Sequence, residues 1–196
     1  MAKFNRSENP PPFDDYQEYR PFLRRDFRRR CAYCERNEFT LGGEEFFEID
    51  HFRPVDRFPE QIANYPNLYY TCGKCNRHKA RTWPSVDAMS RGFRFADPCE
   101  EDMYIEHLEE IQGGELRPKT NIGAYTRDHI RLNRPDLIMW RQTRMQIAAE
   151  LRAFEDIAVR IRGLMDMASV GAEREKMQEE VGVLEASIAR LRQQYY

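Results

Sequence analysis

Over the last third of the chain, apolar residues recur every three or four positions. The first series is Leu137, Trp140, Ile147, Leu151, Phe154, Ala158, Ile161 and Met165, interrupted at Arg144, and the second is Met177, Val181, Leu184, Ile188, Leu191 and Tyr195. That period belongs to helices with one buried stripe, so residues 136–196 are predicted to be long amphipathic helices. The break is expected in "ASVGAE", at Ser169 and Gly171. An antiparallel hairpin is the first expectation and one continuous coiled coil the second. Upstream the pattern is shorter in range. Phe46 to His51 and Leu68 to Thr71 read as strands, and Gly73 onward as a turn entering a helix. Pro21 suits the first turn of a helix through about Arg30, with Leu23 and Phe27 on its apolar face. Residues 1–14, with Pro10, Pro11 and Pro12, read as a flexible or extended arm. Residues 83–135 are mixed, with a hairpin expected around Gly113 and Gly114 and a helix in "GAYTRDHIRLN". The expected class is α+β, organised as an arm and arginine-rich helix (1–30), a small core (31–82), an accessory region (83–135) and a helical tail (136–196).

A chain of 196 residues carries one ordinary core plus an appendage. A third of its residues are charged and the mean hydropathy is −0.82, so no stretch is apolar enough to span a bilayer. The polar, proline-bearing start does not resemble a secretory leader, and the expected location is the cytoplasm, where thiols stay reduced. The net charge of −2 makes no case for nucleic acid. Its distribution does more. Arg20, Arg24, Arg25, Arg28, Arg29 and Arg30 face only Asp26 just before the first cysteines, and Arg77, Lys79, Arg81, Arg91 and Arg94 follow the last pair. Either run alone reads as a solvated face. Two runs bracketing one candidate site point to a phosphate-binding surface built from Arg24, Arg25, Arg28, Arg29, Arg77, Lys79 and Arg81.

Cys31/Cys34 and Cys72/Cys75 are Cys-x-x-Cys pairs, the spacing at which a turn aims two thiolates at one tetrahedral ion. Four thiolates close a zinc site, leaving no position for water, so this zinc is expected to be structural. It would clamp the ends of a segment too poor in strands to hold itself by apolar burial. A redox pair or an iron–sulfur cluster are the alternatives. Cys99 stands outside the pattern as a free thiol.

Between the pairs lie "IDHFRP", "NLYYTC" and "CNRHKA". An Asp-His dipeptide alone is weak evidence, and neighbours on a perfect strand point to opposite faces, so Asp50 and His51 share a site only if the chain bends, as Pro54 allows. The three motifs in this order resemble the zinc-bearing HNH endonucleases, whose catalytic unit is the ββα-metal or His-Me finger. The resemblance implies that Asp50 binds a catalytic Mg²⁺ or Mn²⁺, that His51 is the general base, that Asn67 fixes the histidine's loop and that Asn76 completes the ion's site, with His78 as the alternative ligand. The chemistry suits these residue types: phosphodiester cleavage needs a base that works near neutral pH and compensation for charge on the leaving oxygen. More broadly, "CAYCE", "DHFRP", "CNRHKA" and the later "FADP", "GELRPKT" and "LNRPDLIMWR" are similar to HNH subunits of bacterial anti-phage defence systems such as the Septu type, which act with an ATPase partner. The expected function is therefore metal-dependent cleavage of DNA, with RNA as a variant substrate, a possible ATPase partner, and self-association through the C-terminal helices. The rival is a zinc knuckle that binds nucleic acid or protein without cutting; it has no use for Asp50, His51, Asn67 and Asn76 in that order.

Overall fold

The computed structural model describes residues 3–6, 10–167 and 171–195. Its helices and short antiparallel strands make an α+β chain that divides into two compact units between Met139 and Trp140. Among the described residues no helix is long and apolar enough to cross a membrane.

In the first unit, helix α1 spans Arg20–Asp26 with Pro21 in its first turn. The expected helix through Arg30 stops early because Arg28 and Arg29 adopt left-handed backbone angles, φ 54° and 57°. Their N–H groups turn back onto the carbonyls of Arg25 and Arg24, at 2.9 and 2.8 Å, which closes the helix end. A short helix α2, Glu38–Leu41, then leads to strand β1, Phe47–His51, and β1 pairs antiparallel with β2, Leu68–Cys72. The register sets Phe47 opposite Cys72, Ile49 opposite Tyr70 and His51 opposite Leu68. Helix α3, Gly73–Lys79, follows β2 without a linker, so strand, strand and helix form one small unit. Phe47 stacks on Tyr70 with ring centroids 4.7 Å apart, over a core that includes Leu23, Phe27, Tyr33, Leu68 and Phe95.

The arm is anchored within its described part. Phe4 is buried, its N–H bonds the Pro98 carbonyl at 2.9 Å, and the Arg6 guanidinium lies over the Tyr65 ring while donating to the Leu68 carbonyl at 2.8 Å. Residues 83–135 supply helix α4 (Val86–Ser90), a π-helical turn (Met103–His107), the hairpin of β3 (Leu108–Glu110) and β4 (Leu116–Pro118), and helix α5 (Asn121–His129), whose N-terminus is capped by the Thr120 hydroxyl.

Helix α6 runs Pro135–Met167 and α7 runs Ala172–Tyr195. In the second unit Ile147, Leu151 and Ile188 form a small core, with Phe154, Leu184, Leu191 and Tyr195 against it. Arg192 pairs with Glu155 and Arg162 with Glu185. One helix advances as the other retreats, so they form an antiparallel hairpin and not one continuous coil. Gly171 lies just before α7; Ser169 lies outside the described residues. Arg144, where the apolar series lapses, places its guanidinium over the Trp140 ring.

Candidate active site

The cysteine pairs come from two kinds of turn. Cys31 and Cys34 sit in a loop that Glu35 reverses with φ 58°, and the Ala32 N–H bonds the Tyr70 carbonyl at 2.8 Å, tying that loop to β2. Cys72 ends β2 and Cys75 lies in the first turn of α3. All four are buried, and their sulfurs lie within 4.8 Å of one another. Cys34 Sγ and Cys72 Sγ are 3.8 Å apart, and two ligands of a tetrahedral ion with Zn–S bonds of about 2.3 Å stand about 3.8 Å apart. No disulfide joins them. The donor set and spacing fit a structural zinc. Arg134 adds a partner that sequence reasoning missed, donating from Nη2 to Cys75 Sγ at 3.3 Å, a suitable contact for a sulfur that carries negative charge. Cys99 is a free thiol, partly covered, and burial pushes its pKa up to about 11.

His51 closes β1. Its Nε2 lies 2.9 Å from the Ile62 carbonyl, and its ring meets Tyr16 edge-on at 4.8 Å. A carbonyl only accepts, so Nε2 carries the proton and Nδ1 of the neutral ring keeps the lone pair. The loop that presents Ile62 is held by Asn67. Asn67 Oδ1 accepts the Arg53 N–H at 2.8 Å, Nδ2 donates to the carbonyls of Arg53 and Gln61 at 3.1 and 3.3 Å, and its own carbonyl accepts the Phe52 N–H at 2.9 Å. One buried side chain thus joins both ends of the loop from Phe52 to Asn67 and sets the carbonyl that orients the imidazole.

Glu48 and Asp50, two apart on β1, face α3, where Asn76 and Lys79 lie three apart on one side. The structure pairs them in order. Asn76 Nδ2 bonds Glu48 Oε2 at 2.7 Å, and Lys79 Nζ bonds Asp50 Oδ1 at 3.0 Å and the His51 carbonyl at 2.7 Å. The second Asp50 oxygen accepts the Tyr33 hydroxyl at 2.5 Å. Burial pushes the Asp50 carboxyl up, with Lys79 and Tyr33 pulling the other way. Asp50 and Asn76, the expected ion ligands, each bond another side chain: Asn76 bonds Glu48, and Asp50 bonds Lys79 and Tyr33. His78, the alternative ligand, stands among Arg134, Arg131 and Arg77; burial and these three charges depress its pKa, with Asp136 acting the other way.

Asp50, His51 and Asn76 line one cleft of about 600 Å³, with Pro54, Arg77 and Arg81. Of the expected phosphate contacts, Arg77 and Arg81 are exposed on its wall and Arg28 and Arg29 are exposed in the turn after α1. Lys79 is fully buried, and an ammonium spent on Asp50 and His51 does not reach a phosphate. Arg24 is held by both oxygens of Glu38, at 2.7 and 2.8 Å, and Arg25 pairs with Asp26 at 3.3 Å.

Residues 31–82 match the family of the HNH endonucleases. Over 120 residues the chain is also 27% identical to the Septu protein PtuB of Bacillus thuringiensis, a match that covers 57% of this chain and 39% of the relative. The chain thus spans about two-fifths of the curated relative it matches. With two strands and a helix inside a four-cysteine cage, and the Asp-His pair at the end of the first strand, residues 31–82 are an HNH endonuclease domain.

Proposed function

We propose that the chain is a divalent-metal-dependent endonuclease that hydrolyses DNA, with His51 as the general base. The observation that carries this reading is the imidazole's tether: with Nε2 spent on the Ile62 carbonyl, Nδ1 is the nitrogen left to take a proton from an attacking water. Asn67 keeps the loop that makes the tether, so it acts through His51 as a positioning residue. Asn76 brings an amide oxygen or nitrogen into the same cleft, and β1 offers carboxylates beside it. A Mg²⁺ or Mn²⁺ ion bound there supplies charge compensation for the scissile phosphate and the departing oxygen. Arg77 and Arg81 hold flanking phosphates, contacts that position a strand without reading its sequence. The zinc on Cys31, Cys34, Cys72 and Cys75 keeps the frame and takes no part in the chemistry. The likeness to a Septu protein supports a role in anti-phage defence, alongside an ATPase partner.

The test is incubation of the purified chain with supercoiled plasmid and either Mg²⁺ or Mn²⁺. Nicked or linear product that disappears with EDTA at a concentration sparing the zinc supports the reading. Retention of the plasmid in a mobility shift without any product, across both ions, would leave a zinc knuckle that binds without cutting; cleavage of RNA alone would change the substrate.

A further inference from the structure

The backbone at His51 is fixed by the buried Lys79 ammonium, which bonds its carbonyl at 2.7 Å. The imidazole is held less firmly. Its bond from Nε2 to the Ile62 carbonyl is open to solvent, and Ile62 itself is 44% exposed. A hydrogen bond of this kind favours its arrangement by only about two- to twelvefold, and a hold at one atom leaves the ring free to turn about it. A general base needs more, because Nδ1 has to be aimed at the water it deprotonates.

The second hold on the ring comes from outside residues 31–82, the stretch that matches the HNH family. Tyr16 opens a 3₁₀ turn, Tyr16–Tyr19, whose start is capped by the Asp15 carboxylate on the Gln17 N–H at 2.9 Å. Its ring meets the imidazole with centroids 4.8 Å apart and planes at 65°, the edge geometry in which aromatic pairs attract. The turn is fastened to both parts of the site. Arg20, which follows it, donates to the Phe47 carbonyl at the start of β1 at 2.9 Å. Tyr19 is buried with its ring 5.1 Å from that of Tyr65, within the loop from Phe52 to Asn67 that presents Ile62. Arg6 ties the end of the same loop, donating to the carbonyls of Pro66 and Leu68 at 3.1 and 2.8 Å. Strand β1 carries the imidazole, the loop carries its tether, and the turn that carries Tyr16 is anchored to both. We infer, resting on the nuclease reading above, that Tyr16 is a positioning residue whose ring fixes the plane of the His51 imidazole, so that the segment before α1 belongs to the catalytic site. The tether holds one atom and the edge contact holds the ring's orientation. Together they aim Nδ1. The aromatic ring does this, and its hydroxyl is not required.

The test compares the zinc-loaded full chain as wild type, Tyr16→Phe and Tyr16→Ala, each labelled with ¹⁵N at histidine. Nuclear magnetic resonance above the pH range of histidine titration reads the tautomer of His51, and plasmid cleavage reads kcat and KM. Wild type and Tyr16→Phe are expected to hold His51 as one tautomer, protonated at Nε2, and to cleave within about twofold of each other. Tyr16→Ala is expected to mix the two tautomers and to lower kcat by about tenfold, with KM and zinc content unchanged. A single Nε2 tautomer in Tyr16→Ala, or wild-type kcat there, overturns the role of Tyr16. So does a Tyr16→Phe protein as slow as Tyr16→Ala, which would assign the effect to the hydroxyl. A Tyr16→Ala protein that loses its zinc overturns it too, since Tyr16 would then only pack the fold. A wild type that cuts no DNA fails the nuclease reading alone, and the tautomer of His51 still decides the role of Tyr16.

Discussion

The two units of the chain differ in what their apolar cores carry. In the first, an apolar core with Leu23, Phe27, Phe47, Leu68 and Phe95 carries buried polar groups within it, beside the cysteine cage: Asp26 accepts the Tyr65 hydroxyl at 2.7 Å, Glu38 takes Arg24 and the Tyr70 hydroxyl, and Asp50 takes Lys79 and Tyr33. In the second, two helices close over Ile147, Leu151 and Ile188, and the ion pairs Arg192–Glu155 and Arg162–Glu185 lie at the surface with side chains 39–60% exposed. A hairpin of long helices draws its order from a repeated apolar stripe and tolerates the loss of a contact. The first unit, with two five-residue strands, adds to its apolar core a four-cysteine cluster that fits a zinc ion and buried charges that are costly to orphan. One of those charges, Lys79, also bonds the His51 carbonyl, so there stability and site geometry rest on the same bonds.

The sharpest break of the comparison is Cys34→Ser. Apparent binding free energies of structural zinc are about 10–16 kcal/mol, so losing one thiolate is expected to release the metal and unfold the β1–β2–α3 unit. Near-ultraviolet circular dichroism, which reports its packed tyrosines, should collapse, whereas much of the far-ultraviolet helical signal persists from α6 and α7. Loss of both signals together would make the units interdependent.

Next in size is the buried pair. Lys79→Met leaves the buried Asp50 carboxylate without its ammonium and is expected to cost about 3–5 kcal/mol. Adding Asp50→Asn to Lys79→Met removes the orphaned charge and should restore part of that loss. Chemical denaturation followed by tyrosine fluorescence gives the coupling, and additive effects would show that the two side chains do not form a unit.

A smaller effect concerns pH. Burial raises the Glu38 carboxyl, but the Arg24 guanidinium and the Tyr70 hydroxyl outweigh it and the net pKa is below the ordinary 4.5. A carboxyl depressed in the folded state adds stability above its unfolded pKa, and that stability is lost as pH falls through the folded value. Glu38→Gln should therefore lower the melting temperature at pH 7 more than at pH 4, and an equal drop at both would remove the ion pair from the account. The smallest change is expected at the surface of the hairpin: Glu155→Gln should cost about 0–1 kcal/mol, a shift in melting temperature of a few degrees at most.

Much of this architecture is legible in the sequence, and the parts that are not have a common cause. The Cys-x-x-Cys spacing reveals the cage, alternation reveals β1 and β2, and the three-four period from Leu137 to Tyr195 reveals α6 and α7. Arg28 and Arg29 escape because nothing in an arginine run announces a left-handed turn, although the N–H of each bonds back into α1. Lys79 reads as one more cation among Arg77 and Arg81, and only its position three residues after Asn76, on the side of α3 that faces β1, hints at burial. Glu48 lies two residues before Asp50 on the same strand face, which hints at its bond to Asn76 and not at burial. The Ile62 carbonyl that orients His51 is invisible in principle, since any residue supplies a backbone oxygen. Charge and residue type are written in sequence; which of several like charges is buried depends on packing from distant segments.

The central claim is that the cage builds the frame while His51 performs the chemistry, and the most direct test is plasmid cleavage by His51→Ala with zinc measured in the same preparation. The account predicts one zinc per chain and unchanged affinity for DNA in wild type and variant alike, with the rate of cleavage lower in the variant by about 10²–10⁴. Cleavage at the wild-type rate by a zinc-loaded His51→Ala protein would contradict it.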